Sequence, residues 1–174
     1  ESDVNSYDLK LDHLQTDITH NYIYKDNWIV YNQKYIEIKK SSNGSEESGY
    51  CKGFYPDALL PFEKAKEYGE NRISARRNQG IWLTLKVPEN QPAGLYTGSF
   101  TLIADGKNYD IPVSVTIWDF EIPKEVHLQS DFGIHPQFIK LGENDYFPDM
   151  VKKYAEKLID FRLSPSLLKC CYNK

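Results

Sequence analysis

Between Tyr96 and Ile117 the chain spells out a β-hairpin. Tyr96 to Ala104 reads as one strand. Tyr109, Ile111, Val113, Val115 and Ile117 then recur at every second position, the period of a strand with one buried face. Asp105-Gly106 separates the two runs. A two-residue type I′ turn needs positive φ at both central residues, and this dipeptide tolerates it. Just upstream, Ile81, Leu83, Leu85 and Val87 share one face of a further strand, with Trp82, Thr84 and Lys86 on the other. Pro88 ends that strand, and Gln91-Pro92-Ala93-Gly94 has turn chemistry, Pro presetting φ and Gly allowing it to become positive. Three strands joined by short turns predict an antiparallel meander within a sandwich or barrel.

The rest of the first two-thirds fits that class less evenly. Tyr7, Leu9 and Leu11 alternate with Asp8, Lys10 and Asp12, and Trp28 to Lys39 is rich in aromatic and β-branched residues, as strands are. Ser41 to Gly49 is a polar loop; within it Asn43-Gly44-Ser45 matches the N-glycosylation acceptor pattern, although turn chemistry alone accounts for it. Cys51 to Gly80 holds Pro56, Pro61 and many charges without a sustained period. It reads as a long irregular connection, unusual in a compact domain and often functional.

Composition excludes several classes. With 40% hydrophobic and 14% aromatic residues the chain can pack a core, which excludes disorder. A net charge of −4 argues against nucleic-acid binding, which needs a basic stripe on the phosphates. No apolar run is long enough to span a bilayer. The residues from Glu1 show no signal-peptide pattern, an absence that a mature secreted protein would share. The cysteines, Cys51 and the adjacent Cys170 and Cys171, suit neither a disulfide framework nor a zinc site, so free thiols, no metal and no cofactor are expected.

After Phe120 the pattern changes. Pro123 marks a linker, and Val126 to Ile134 reads as one more strand. Asn144 and Asp145 offer helix-capping chemistry, and Phe147, Met150, Tyr154, Leu158 and Phe161 form an amphipathic stripe until Ser164-Pro165 stops it. A strand and a helix appended to an all-β domain look like the start of an α/β unit. Two domains are expected, 1–123 and 124–174.

Two segments carry a family resemblance. One is Tyr55-Pro56-Asp57-Ala58-Leu59-Leu60-Pro61, leading to Asn78-Gln79-Gly80-Ile81-Trp82. The other runs from Val87-Pro88 through Pro92-Ala93-Gly94-Leu95-Tyr96-Thr97-Gly98 to Trp118-Asp119-Phe120-Glu121-Ile122-Pro123. With Phe161-Arg162-Leu163-Ser164-Pro165, they resemble bacterial proteins of domain-of-unknown-function family 4091, relatives of the family 123 glycoside hydrolases that remove β-linked N-acetylgalactosamine. The resemblance implies an immunoglobulin- or jelly-roll-like β-sandwich followed by one strand and one helix of a truncated (β/α)8 barrel. It also implies that the chain is short at both ends, that the protein is extracellular or periplasmic, and that its partners are the rest of its own barrel and glycans. Apolar surface where the barrel is missing is a candidate for homo-oligomer formation.

In those hydrolases the catalytic Asp-Glu pair lies on a later barrel strand. No residue here matches it, so no catalytic residue is carried over. Asp131 and His135 flank the expected first barrel strand, with His135 toward the end where barrel active sites form. Glu46-Glu47 reads as a solvated pair, and Glu143, Asp145 and Asp149 suit a helix N-terminus. Trp28, Trp82 and Trp118 raise the question of sugar stacking, but large aromatics are usually mostly buried, and covered faces are the expectation. The residues of any carbohydrate-binding site stay unassigned. The expected role is an accessory domain of a carbohydrate-active hydrolase, with an independent carbohydrate-binding or adhesion module as the alternative.

Overall fold

A computed structural model describes residues 2–17, 20–39, 52–123, 126–135, 139 and 147–167. The Asn43-Gly44-Ser45 pattern, Glu46-Glu47, all three cysteines and the residues Glu143, Asn144 and Asp145 lie outside the described residues. The chain divides into two compact units, Glu1–Glu121 and Ile122–Lys174.

The first unit is built from antiparallel sheets. Its strands are β1 (Tyr7–Lys10), β2 (Leu14–Thr16), β3 (Tyr22–Ile23), β4 (Trp28–Ile38), β5 (Gly53–Pro61), β6 (Ile81–Leu85), β7 (Gly94–Ala104) and β8 (Lys107–Ile117), with helix α1 (Phe62–Glu67) after β5. The expected hairpin is present. β7 and β8 pair without interruption from Gly94↔Ile117 to Ala104↔Lys107, and φ is 46° at Asp105 and 76° at Gly106, as a type I′ turn requires. Along its other edge β7 receives β1 near the hairpin tip and β2 near its start, and β3 pairs with β2. β4 is the centre of a second sheet, flanked by β5 and β6.

Period two decides which side chains meet between the sheets. Tyr96 and Phe100 of β7, with Leu14 and Ile23, form a fully buried cluster. Val113, Val115 and Ile117 of β8 pack on it from one side, and Trp28 of β4 and Leu85 of β6 from the second sheet. Trp28 meets Phe100 edge-on at 5.3 Å, a favoured arrangement for aromatic rings. Gly98 lies between Tyr96 and Phe100 because β2 crosses there: a Cβ would sit 2.7 Å from Leu14 Cδ2 and 2.9 Å from the His13 carbonyl oxygen. The same face is not buried to its end, since Tyr109 and Ile111 near the hairpin tip are exposed.

Three expectations need correction here. Cys51 to Gly80 is not a long irregular connection, because it contains β5 and α1. β5 escaped the period rule because nearly all of it is exposed, so no alternation marks a buried face. Its prolines are tolerated because β5 is paired on one side only among the described residues, and a register shift between Gln33 and Tyr35 falls beside Pro56. α1 has six residues, too few to show a helical period. The first strand stops at Lys10, before Leu11, and β2 and β3 are too short to be read. The strand expected to reach Val87 ends at Leu85, leaving Val87 exposed.

In the second unit, β9 (Phe132–Ile134) and β10 (Pro165–Leu167) pair in parallel and helix α2 (Phe147–Asp160) lies between them in sequence. The strand expected from Val126 is confined to three residues, and β10 is an addition. Met150, Val151, Ala155 and Leu158 of α2 pack with Ile134 and Ile139. Met150 and Leu158 of the expected stripe make this contact, but Tyr154 and Phe161 do not, being 44% and 62% exposed, and the small Ala155 packs instead. Ser130 and Ser164 clasp the strand entries reciprocally, each backbone N–H donating to the other's hydroxyl, at 3.3 and 2.9 Å. Among the described residues no helix is long and apolar enough to cross a membrane, which leaves β-barrel spans unaddressed.

Candidate functional site

A polar concavity of the first unit lies where the segment between α1 and β6 folds over β4. Its volume is about 390 Å³, and its walls include Gln33 and Lys34 of β4, Phe54 of β5, Arg72, Arg77 and Asn78. The segment is irregular yet anchored. Val4 and Ile73 exchange backbone hydrogen bonds of 2.8 and 2.9 Å, Tyr7 N–H donates to the Asn71 carbonyl, and Ala75 N–H donates to the Asp3 carboxylate. At its exit the Gln79 side-chain amide donates to the Gln33 carbonyl at 2.6 Å, and Gly80 lies so close to β4 that a Cβ would come 1.9 Å from Gln33 Oε1. Between these anchors Arg76 takes a left-handed conformation (φ 62°), uncommon for a residue with a Cβ.

One wall is neutralised and the other is not. Lys34 forms an ion pair with Glu70. Arg72 Nε donates to the Gly69 carbonyl at 2.7 Å, and the Arg77 guanidinium stands over the Phe54 ring at 4.3 Å. Below the floor, Tyr7 donates its hydroxyl to Asn32 Oδ1 at 2.6 Å, and the Asn32 amide donates to the Glu70 carbonyl at 3.1 Å. Burial pushes the Tyr7 phenol up to about 12, so it is a fixed donor at ordinary pH.

The residues singled out from sequence lie elsewhere. Asp131 enters β9 and accepts a hydrogen bond from the Ser166 hydroxyl, while His135 follows the opposite end of the strand, so the two are not brought together. Asp149 lies in the first turn of α2, where the helix dipole favours a carboxylate. Trp28 is half-buried in the core of the first unit, with its indole N–H buried and unpartnered. Trp82 and Trp118 contradict the expectation of covered faces, being 50% and 69% exposed. Trp82 shares the outer face of its sheet with Tyr31 and donates to the Thr84 hydroxyl at 3.1 Å; Trp118 leans on Phe120. No group of three or more metal-binding side chains occurs among the described residues. Sequence reasoning missed Arg72, Arg76 and Arg77, although an arginine cluster in an acidic chain was there to be seen.

Comparison with known proteins places the chain. A model of the glycoside hydrolase 123 N-terminal domain matches residues 1–104. The chain belongs to that family. Among solved structures, a family 123 glycoside hydrolase from Clostridium perfringens, described for the hydrolysis of glycolipid glycans, superposes with a TM-score of 0.66 at 22% identity. The match covers 92% of this chain and 27% of that enzyme, so this family 123 chain spans about a quarter of the enzyme's length and shares its fold over that part. No curated protein matches it. The resemblance in Tyr55–Pro61 and Val87–Pro123 thus led to the right family.

Proposed function

We propose that the chain is the N-terminal accessory part of a secreted, carbohydrate-active glycoside hydrolase. On this reading residues 1–123 are a β-sandwich that supports the catalytic domain, and residues 124–174 open a (β/α)8 barrel. The observation that carries the reading is the parallel β9–β10 pair connected through α2, which follows a domain matched by the family 123 model. Strands joined through a helix in this way are the building unit of such barrels, and barrel active sites form at the carboxyl ends of the strands. The chain itself supplies no catalytic pair, and hydrolysis of β-linked N-acetylgalactosamine belongs to the parent.

The test compares the full-length parent with the 174-residue chain on an aryl N-acetyl-β-D-galactosaminide. Turnover by the parent and none by the chain is expected; an inactive parent, or an active chain, overturns the reading. The partly uncovered outer face around Trp82 favours a second reading, an independent carbohydrate-binding module. That reading predicts saturable quenching of indole fluorescence by neutral sugars, lost in Trp82→Ala. Exposed Trp118 and Phe120 also make self-association of the isolated chain an expected behaviour, and a monomeric light-scattering mass at high concentration counts against it.

A further inference from the structure

The turn from Arg72 to Asn78 concentrates positive charge that nothing on the described surface uses. Three of the four arginines in the sequence fall at positions 72, 76 and 77, in a chain of net charge −4. Among the described residues no carboxylate pairs with any of them, whereas Lys34 across the groove is already paired with Glu70. The Arg77 guanidinium stands over the Phe54 ring, 4.3 Å from its centroid, a contact that takes up no oxygen acceptor. A guanidinium fork matches carboxylate, sulfate and phosphate oxygens better than an ammonium does. A second depression, bounded by Ser2, Val4 and Arg76, meets the first along Ile73, Ser74, Arg77 and Asn78, so Arg77 stands on the ridge between the two. The anchors at Val4, Asp3 and Gln33 hold that ridge without help from a ligand, and about 390 Å³ is within the usual range for a small-molecule site.

We propose that this groove binds an acidic saccharide, with its carboxylate or sulfate group on Arg77 and Arg72 and its hydroxyls on the amide of Asn78. The anionic half of the assignment stands on the arginines. The saccharide half rests on the proposed function and names the kind of glycan that the accessory domain would hold.

Backbone amide shifts of the isotopically labelled 174-residue chain test this. The probes are galacturonic acid and galactose 6-sulfate, against neutral N-acetylgalactosamine, inorganic sulfate and a short oligonucleotide. Saturable shifts confined to Arg72–Gln79 are expected with one acidic sugar, and which of the two binds tells carboxylate from sulfate. Arg77→Ala should weaken that binding by at least about tenfold, the loss of a charged hydrogen bond. Arg77→Lys should restore only a minor part of it, and Arg162→Ala, in the second unit, should change nothing. Equal binding of the neutral sugar overturns the anionic half, and equal binding of inorganic sulfate overturns the saccharide half. Tighter binding of the oligonucleotide, or no saturable shift with either acidic sugar, overturns the whole. Because hydrolysis by the parent is measured separately, an active parent with a silent groove removes this inference alone. A responsive groove in an inactive parent removes the proposed function alone.

Discussion

Two long antiparallel pairs dominate the first unit, and they hold their register in different ways. β7–β8 runs through eleven paired positions from a two-residue turn, with buried Tyr96 and Phe100 facing Val115 and Ile111. β4–β5 is broken by a register shift beside Pro56, carries a second proline at Pro61, and leaves most of β5 in solvent. The first pair is specified twice, by turn geometry and by a buried face, either of which would suffice. The second depends on what lies against it: α1 with buried Phe62 and Ala65, and the arginine-bearing turn. Local chemistry can fix a hairpin, whereas an exposed edge strand takes its place from its neighbours.

The largest effect should separate the two pairs directly. Phe100→Ala is expected to cost about 3–5 kcal/mol, because it empties a fully buried site. Phe54→Ala in β5 should cost below about 1 kcal/mol, since Phe54 is half exposed and outside the buried core. Urea denaturation measures both, and similar midpoints would erase the distinction. Next comes Gly98→Ala, where the new methyl meets the His13 carbonyl and Leu14; a loss of about 2–3 kcal/mol is expected. Gly80→Ala should cost less despite the shorter distance, since the end of the Gln33 side chain can swing away.

A smaller effect tests a bond between the two sheets of the first unit. Tyr7→Phe removes the donor to Asn32 Oδ1 and should cost about 1–2 kcal/mol. It should also change the pH profile. The folded phenol is raised to about 12 from 10.0, so folding keeps a proton that the unfolded chain releases. The Tyr7 contribution is therefore intact below pH 10 and is lost as pH rises toward about 12. Tyr7→Phe should flatten the fall in stability within that window, and an unchanged profile would show the phenol to be solvated. Of Gly98 and Gly106 in the β7–β8 hairpin, the second, at the tip, should matter less when replaced by Ala. No atom lies near the new methyl, and only its left-handed conformation should cost about 1 kcal/mol.

What could be read in the sequence follows the same division. Asp105-Gly106 and the alternation from Tyr109 to Ile117 carry their structure in neighbouring residues, and the family resemblance in Val87–Pro123 overlaps that region. β5 could not be read, because Pro56 argues against a strand unless one knows that the strand is an edge. The contact face of α2 was legible in Met150 and Leu158 but not between them, because the small Ala155 packs where the larger Tyr154 was expected. The groove was illegible as a shape, since Lys34, Phe54 and Arg77 converge from three distant segments. Its charge was legible in Arg72, Arg76 and Arg77, and went unread because the stretch showed no period.

The pairing pattern also sets an order of events during synthesis. β1 and β2 are far from β7 in sequence, yet both pair with it, and Asn5 and Ser6 donate their backbone N–H groups to the carboxylate of Asp105. At a ribosome that extends the chain by roughly 5–20 residues each second, the first segment therefore waits for about ninety more residues before its sheet exists. Through that wait Leu9 and Leu14 lack the cover that β7 gives them in the finished sheet, and the nascent chain is open to chaperones and to its neighbours. Once the Asp-Gly turn emerges the hairpin can close on its own, within microseconds, and offer the waiting strands an edge. The most local element of the fold is then the template for its most distant contacts.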